Sequence, residues 1–451
     1  MLAQRLIERK RNGGKIEAGE WRALVHAYAS GHVADHELGA FLMATCLRGL
    51  DLTEARSLTD ALLGLGEPLF TPAREMRRVD LHSTGGVGDK VSLVVVPLVA
   101  SLGVPVPMAM GRGPEAGGGT LDKLRAIPGF RTDLSLSAAR AQLERVGCVM
   151  MGCPPELTPL DARLTALRHA TATVESVALI AIEVAARKMG EGLCGLVLDI
   201  KLGSGALLPS REDALAVATL VSELARDRAC ESVALLTAMD RPIGRAVGDA
   251  LEVEEAIHTL HGEGPPDLLQ LCFALASEML LLARAATTRE DARKQIASAI
   301  SSGAAARKFE ELIEAQGGNP GVVDDPAVLP QAEECELFLA PQRGFVARVD
   351  PRAVARGLAT LAEGAAGAAG AGGAGAEAVG FVVSAKPGDW VDLGEPIATV
   401  FARTPQDIAR GRAALSEAIR ISDEAEPPLP LVACRVEAGR TTVLDQEARG
   451  Q

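Results

Sequence analysis

The stretch that decides the fold runs from residue 79 to residue 123 and reads VDLHSTGGVGDKVSLVVVPLVASLGVPVPMAMGRGPEAGGGTLDK. Two glycine-rich loops, His82 to Asp89 and Gly111 to Thr120, flank an apolar run. Glycines this dense let backbone N–H groups come close to a ligand and tolerate positive φ. Hydroxyls at Ser83, Thr84, Ser92 and Thr120 add further donors. Such a cradle suits an anion or a sugar. It is not a phosphate loop of the GxxxxGK[ST] type, because Lys90 is followed by Val91. Gly111, Gly113 and Ala116 fit the loose dinucleotide pattern, but more glycine follows where that pattern needs a helix. The bland alternative is a pair of tight turns in an α/β domain, which seldom need so many glycines and a histidine.

Outward from this stretch, composition sets the bounds. The chain has 451 residues, enough for two or three domains and a large core. A net charge of −13 and an aromatic content of 3% speak against a nucleic-acid surface. The cysteines are Cys46, Cys148, Cys153, Cys194, Cys230, Cys272, Cys335 and Cys434, with no CxxC pair. They read as reduced core thiols of a cytoplasmic protein, not as a disulfide or zinc framework. The segment MLAQRLIERKRNGGK has no apolar signal core. Residues 91–110 are long enough to span a bilayer, but Pro97, Pro105 and Pro107 interrupt them. They are expected to form buried strands or a buried helix of an α/β unit, so no membrane partner is expected.

Residues 1–66 show helical periodicity in four segments: 2–12, from 17 to about 31, 33–48 and 53–64. They carry no motif chemistry and are expected to be a packing domain. LSLSAARAQLERVG (134–147) reads as a helix and CVMMG (148–152) as a short strand. Residues 157–192 return to helix, with Thr173 or Ser176 as a cap and Gly190 as the stop. Ser176, Ile180, Glu183 and Arg187 fall on one face. A Glu183–Arg187 pair at i,i+4 is, by pattern alone, an ordinary surface pair. GLVLDIKLGSGAL (195–207) reads as a strand and then a loop, followed by helix 211–229 and strand 232–240, and buried β and amphipathic α are expected to alternate through 270–315. From Gly344 the pattern becomes β-rich halves around a helix, with an Ala/Gly-rich loop expected at 363–378. Lys386 is not in a cofactor-carrier setting.

HSTGGVGD, GRG…GGTLDKL (Gly111 to Leu124), IPGF (127–130) and KLGSGA (201–206) closely resemble the thymidine phosphorylase and pyrimidine-nucleoside phosphorylase family. The resemblance runs from Leu2 to about Ser422. It implies an α/β multidomain fold: a small all-α domain (1–66, joined by 160–192), a large α/β domain with a mixed sheet (72–158 and 193–335) and a hammerhead-like α+β appendage (344–440). It implies phosphorolysis of pyrimidine (deoxy)nucleosides to base and (deoxy)ribose 1-phosphate by a homodimer built through the N-terminal helices. No resident cofactor is implied; inorganic phosphate is the co-substrate, and potassium can occupy a cation site. By the same resemblance, His82 and Arg168 meet the base and act in catalysis with Arg187. Glu183 and Arg187 stand at the family's base-binding serine and lysine. Ser83, Ser92 and Thr120 match phosphate-binding hydroxyls, and Gly88, Ile243, Ala246 and Glu255 match a monovalent-cation site.

The departures bear on activity. Leu81 stands where the family has lysine, and Met110 where it has serine, with Met108 nearby. Pro114, Glu115, Ala116 and Gly117 replace the family's loop after GRG. Lys90 replaces a threonine of the cation site. Either its ammonium substitutes for potassium and pairs with Glu255, or it reaches inward to the phosphate. Three functions stay open: a phosphorylase with a depleted phosphate pocket, a phosphate-independent nucleosidase or pentosyltransferase on a modified nucleoside, and a non-catalytic binding homologue.

Overall fold

The computed structural model describes residues 2–71, 77–111, 118–369 and 375–444. The first four helices are Leu2–Arg11, Ala18–Ala29, Asp35–Arg48 and Leu52–Leu63. Asp51 caps the fourth by accepting from the Glu54 N–H. Their apolar faces close on Trp21, Leu24, Tyr28 and Phe41, and Leu160 and Leu179 from later in the chain enter the same core. The helices Asp161–Ala170 and Val177–Gly190 thus belong physically to this bundle.

A mixed sheet carries the second layer. Strands Val79–Ser83, Gly195–Leu202 and Glu231–Ala238 run parallel, and Val432–Glu437 and Arg440–Val443 extend the sheet antiparallel. Register sets His82 beside Leu198 and Ser83 beside Asp199. The glycine-rich loop therefore leaves the carboxyl end of a parallel strand, where open α/β sheets place ligands. Val106–Met110 and Cys148–Gly152 make a separate parallel pair.

Of the two forms left open for residues 91–110, Val91–Ser101 is the buried helix, with Pro97 inside it, and Val106–Met110 is a strand. The valines of Val91–Ser101 favour strand, but the segment is buried along nearly its whole length among the helices Asp249–Leu260, Pro266–Ala283 and Ala304–Ala315, so packing decides. Two expectations need correction. Residues 266–315 do not alternate: they form Pro266–Ala283, Arg289–Ser301 and Ala304–Ala315. Pro266–Ala283 is long and apolar enough to cross a membrane, yet Leu268, Leu271, Leu275 and Met279 are wholly buried in the core. The expected Ala/Gly loop is helix as far as Ala369; alanine is the best helix former.

The C-terminal part has a four-stranded sheet (Ala246–Val247, Gly380–Val383, Pro396–Ala402, Glu334–Leu339) and a three-stranded sheet (Trp390–Val391, Gly344–Val349, Ile419–Ser422). The helices Pro351–Ala369 and Pro405–Ala418 pack together beside them. Four cysteines are buried as expected, but Cys335 is exposed on the strand Glu334–Leu339.

Candidate active site

A cleft of about 560 Å³ lies where sheet loops, bundle helices and the C-terminal part meet. The sheet side contributes His82 to Asp89, Ser92 and Thr120. The bundle side contributes Arg168, Glu183 and Arg187, and the C-terminal helix Pro351–Ala369 contributes Arg352. The site residues inferred from resemblance thus come together, except for the cation cluster, which lies beside the cleft. Arg112 to Gly117, including Glu115, lie outside the described residues.

The bundle side is an ion network. Arg168 and Arg187 both pair with Glu183, and Arg187 Nε also donates to Asp161 at 2.6 Å. Arg187 Nη2 reaches the Thr165 hydroxyl at 3.1 Å, and Arg168 Nη2 donates to the Val174 carbonyl at 2.7 Å. Glu183–Arg187 is therefore no surface pair: Arg187 is buried and Glu183 half-buried. Burial, with Arg187 nearby, lowers the Arg168 pKa to about 10, which leaves it cationic at neutral pH. A Cβ at Gly111 would come within 2.4 Å of the Arg187 guanidinium carbon, so a side chain there would shift the guanidinium.

The sheet side has a different chemistry. The Ser83 hydroxyl donates to Asp89 Oδ2 at 2.5 Å and accepts from the Gly85 N–H at 3.1 Å. Burial pushes the Asp89 carboxyl up, but Lys201, the Ser83 hydroxyl and Lys123 bring it down overall, so it is ionised. Lys123 sits 2.7 Å from Glu252, another cleft residue, and donates to the Asp89 carbonyl. Leu81, Met108 and Met110 line the cleft with apolar surface. Close by, burial raises Asp249 to about 7, with Lys123 opposing and Glu252 and Asp122 adding to the rise.

His82 lies near the end of the first strand of the sheet. Burial, then the charges of Lys188 and Arg187, push its pKa well below the ordinary 6.5. It faces the cleft as a neutral imidazole at neutral pH. Lys188 lines the cleft but is held by Asp80, by the Ala109 carbonyl at 2.9 Å and by Glu191 at 2.9 Å.

Lys90 is wholly buried and turned away from the cleft. Its ammonium donates to the Ile243 carbonyl at 3.0 Å, the Ala246 carbonyl at 2.8 Å and Glu255 Oε2 at 2.6 Å. Gly88 adjoins the same cluster: its φ is +72°, and a Cβ would lie 2.7 Å from the Ile243 carbonyl oxygen. The acceptors of the expected potassium site thus already hold a cation, and a metal ion does not fit beside it. Lys90 is not a phosphate ligand.

Sequence reasoning missed Asp161, Asp89, Glu252 and Arg352 as cleft or network members. Asp161 lies seven residues before Arg168 on one helical face, a signal that was there to use. Glu252 and Arg352 reach the cleft from distant segments, which no local spacing reveals.

Comparisons with known proteins follow this architecture. The model of the glycosyl transferase family, helical bundle domain, matches residues 4–66. The model of the glycosyl transferase family, a/b domain, matches residues 75–306. The chain is 39% identical over 417 residues to a pyrimidine-nucleoside phosphorylase of Geobacillus stearothermophilus, covering 92% of this chain and 95% of the relative. It is 40% identical over 430 residues to a thymidine phosphorylase of Rattus norvegicus, covering 93% of this chain and 90% of the relative. The crystal structure of anthranilate phosphoribosyltransferase from Thermus thermophilus superposes with a TM-score of 0.56 at 16% identity, covering 69% of this chain and 99% of that one. That likeness shows the shared fold. The chain belongs to the glycosyl transferase family defined by this helical bundle and a/b domain, alongside those pyrimidine-nucleoside and thymidine phosphorylases.

Proposed function

We propose that this chain splits pyrimidine nucleosides and deoxynucleosides by phosphorolysis, giving free base and ribose or 2-deoxyribose 1-phosphate. The observation that carries the reading is the cleft: hydroxyls of a glycine-rich loop face it from the sheet, and Arg168, Arg187 and His82 face it with donors. A phosphate oxygen attacks C1′ while the bond from C1′ to the base nitrogen breaks, and the electron pair leaves with the base. Arg168, Arg187 and the neutral His82 N–H stabilise that growing negative charge. Glu183 accepts from a base N–H and holds both arginines in place. Ser83, Ser92, Thr120 and the loop N–H groups receive phosphate. The base anion then takes a proton from water.

The phosphate side is depleted: Leu81, Met108 and Met110 are apolar, and Asp89 and Glu252 are acidic. Phosphate is therefore bound weakly. Lys90 serves as a built-in cation in place of potassium. The reading includes a homodimer through the N-terminal helices, a cytoplasmic setting, and division into the helical (1–66 with 160–192), α/β (72–158 and 193–335) and C-terminal (344–440) domains, with the one correction that the strand Val432–Glu437 belongs to the α/β sheet. Closure of the helical part onto the sheet brings base and phosphate together.

The same carboxylates favour one second reading, hydrolysis, in which Asp89 or Glu252 activates water on the face phosphate would use. Incubation with thymidine, uridine, deoxyuridine and cytidine, with and without phosphate and followed by ³¹P NMR, separates the two. A sugar 1-phosphate resonance supports phosphorolysis. Base released with equal yield in phosphate-free buffer overturns it and supports hydrolysis.

A further inference from the structure

Where the bundle meets the sheet, three charged side chains are sealed together: Asp80 and Glu191 at 0% exposure and Lys188 at 1%. The Lys188 ammonium pairs with Asp80 Oδ2 and donates to Glu191 Oε1 and to the Ala109 carbonyl, each at 2.9 Å. The Ala109 N–H donates back to Glu191 Oε1 at 3.1 Å. Each tie sits beside a cleft residue: Asp80 is two residues before His82, Lys188 follows Arg187, and Ala109 lies between Met108 and Met110. Among the described residues, Lys188 is the one cation paired with either carboxyl. Two carboxylates and one ammonium leave an uncompensated negative charge away from water, which is strongly unfavourable. Asp80 Oδ1 and Glu191 Oε2 are also buried with no hydrogen-bond partner among the described residues. The two carboxyls lie within hydrogen-bonding reach of each other.

We infer that Asp80 and Glu191 share one proton and form with Lys188 a neutral lock that positions His82 and Arg187. One proton cancels the unpaired charge and turns one carboxyl into a donor for the other, as crowded carboxylates do. It belongs to the pair rather than to either residue. Burial, with Lys188 opposing and Asp80 adding to the rise, pushes the Glu191 carboxyl well above its ordinary range. Through one ammonium the lock joins the strand Val79–Ser83, the end of the helix Val177–Gly190 and the strand Val106–Met110. Asp80 and Glu191 do not line the cleft, so Glu191 is a positioning residue. Lys188 keeps its charge and, with Arg187, holds His82 neutral against the opposing charge of Asp89. The shared proton stands on the buried geometry; its effect on turnover rests on the function proposed above.

The test uses the full chain, and its first two readings need no turnover. In infrared difference spectra at pH 7, the unsubstituted protein minus Glu191→Gln should show the carbonyl stretch of a protonated carboxyl, and so should the difference against Asp80→Asn. Either amide leaves a single ionised carboxylate facing Lys188, so neither variant keeps the proton. Loss of a carboxylate stretch instead, in either spectrum, overturns the shared proton. Histidine ring NMR signals then follow His82, identified by its absence in His82→Gln. Its titration midpoint should be the same in Glu191→Gln as in the unsubstituted chain, because an amide replaces a neutral acid. In Lys188→Gln it should rise toward the ordinary 6.5. A midpoint lowered further by Glu191→Gln would mean that an ionised carboxylate was removed, which also overturns the proposal. Circular dichroism checks that each variant is folded; should Lys188→Gln fail, the two amide variants decide. Positioning is read from kinetics: Glu191→Gln should keep about ten times the kcat of Glu191→Ala, with the KM for nucleoside within about twofold. Equal kcat in those two variants overturns the positioning role. If no nucleoside is split at all, the function proposed above falls and the infrared band still decides the proton.

Discussion

The two sides of the cleft are built on opposite principles. The bundle side fixes its charges: two buried arginines share Glu183, Asp161 holds one of them, and backbone carbonyls take further guanidinium N–H groups. The sheet side has hydroxyls, flexible glycines, apolar Leu81, Met108 and Met110, and carboxylates at Asp89 and Glu252. On the proposed reading, the paired wall recognises a planar base through preorganised donors. Among the described residues the sheet side offers two carboxylates and no unpaired lysine, which leaves an incoming anion to backbone N–H groups and hydroxyls. On the proposed reading, one half of this site is built for binding and the other is depleted, and activity is limited by the co-substrate.

The strongest way to break this contrast is on the bundle side. Arg168→Met removes a base donor and leaves Glu183 short of a partner. Its kcat/KM for nucleoside should fall by about 10²–10³, read from initial rates of base release, while the KM for phosphate stays unchanged. A fall confined to phosphate would place Arg168 on the wrong side.

Leu81→Lys should sharpen the contrast by filling the sheet side. One charge-assisted contact to phosphate is worth roughly 1.5–3 kcal/mol. The KM for phosphate should drop by about 10- to 100-fold, with the nucleoside KM little altered. An unchanged phosphate KM would mean that position 81 does not face the anion.

Next in size is the built-in cation. The unsubstituted chain should melt at the same temperature in potassium and in a large organic cation. Lys90→Thr should lose stability and recover it in potassium, by up to about 2.7 kcal/mol at a hundredfold excess over Kd. Differential scanning fluorimetry reads this without any turnover. A Lys90→Thr protein indifferent to potassium would show that the Ile243, Ala246 and Glu255 acceptors suit only an ammonium.

The smallest effect is a pH dependence. The folded pKa of His82 lies below its ordinary value of 6.5. Between the two values the unfolded chain binds the extra proton, so this stabilising contribution is complete above pH 6.5 and is lost as pH falls through the folded pKa. His82→Gln should flatten that part of the stability curve in urea titrations from pH 7 to 5. An equal acid slope in both proteins would mean that His82 is not held neutral.

The legibility of the chain follows the same split between local and distant signals. The four N-terminal helices were readable, because caps and apolar periodicity are local: Asp51 and Gly49 sit within a turn of the helix ends they mark. Val91–Ser101 stayed open between strand and buried helix, since its valine-rich pattern suits a strand and burial on every side makes it a helix. The helices of 266–315 share that ambiguity of apolar runs. In the site, His82, Ser83, Ser92 and Thr120 announced themselves through glycine density. Glu183 and Arg187 showed only a spacing, which alone suggested a surface pair; their burial comes from the helix Asp161–Ala170 and the chain at Gly111 packed against them. Asp89 was quoted within its motif, yet its pairing with Ser83 and Lys201 depends on a neighbouring strand. Glu252 and Arg352 depend on segments brought together only by the finished fold.

The central claim is phosphorolysis through a weak phosphate pocket, and the rate of base release against phosphate concentration tests it most directly. With thymidine or uridine saturating, the account predicts a rate near zero without phosphate, rising almost linearly through the millimolar range, with one sugar 1-phosphate formed per base released. A rate independent of phosphate, with free sugar as the only other product, would contradict it.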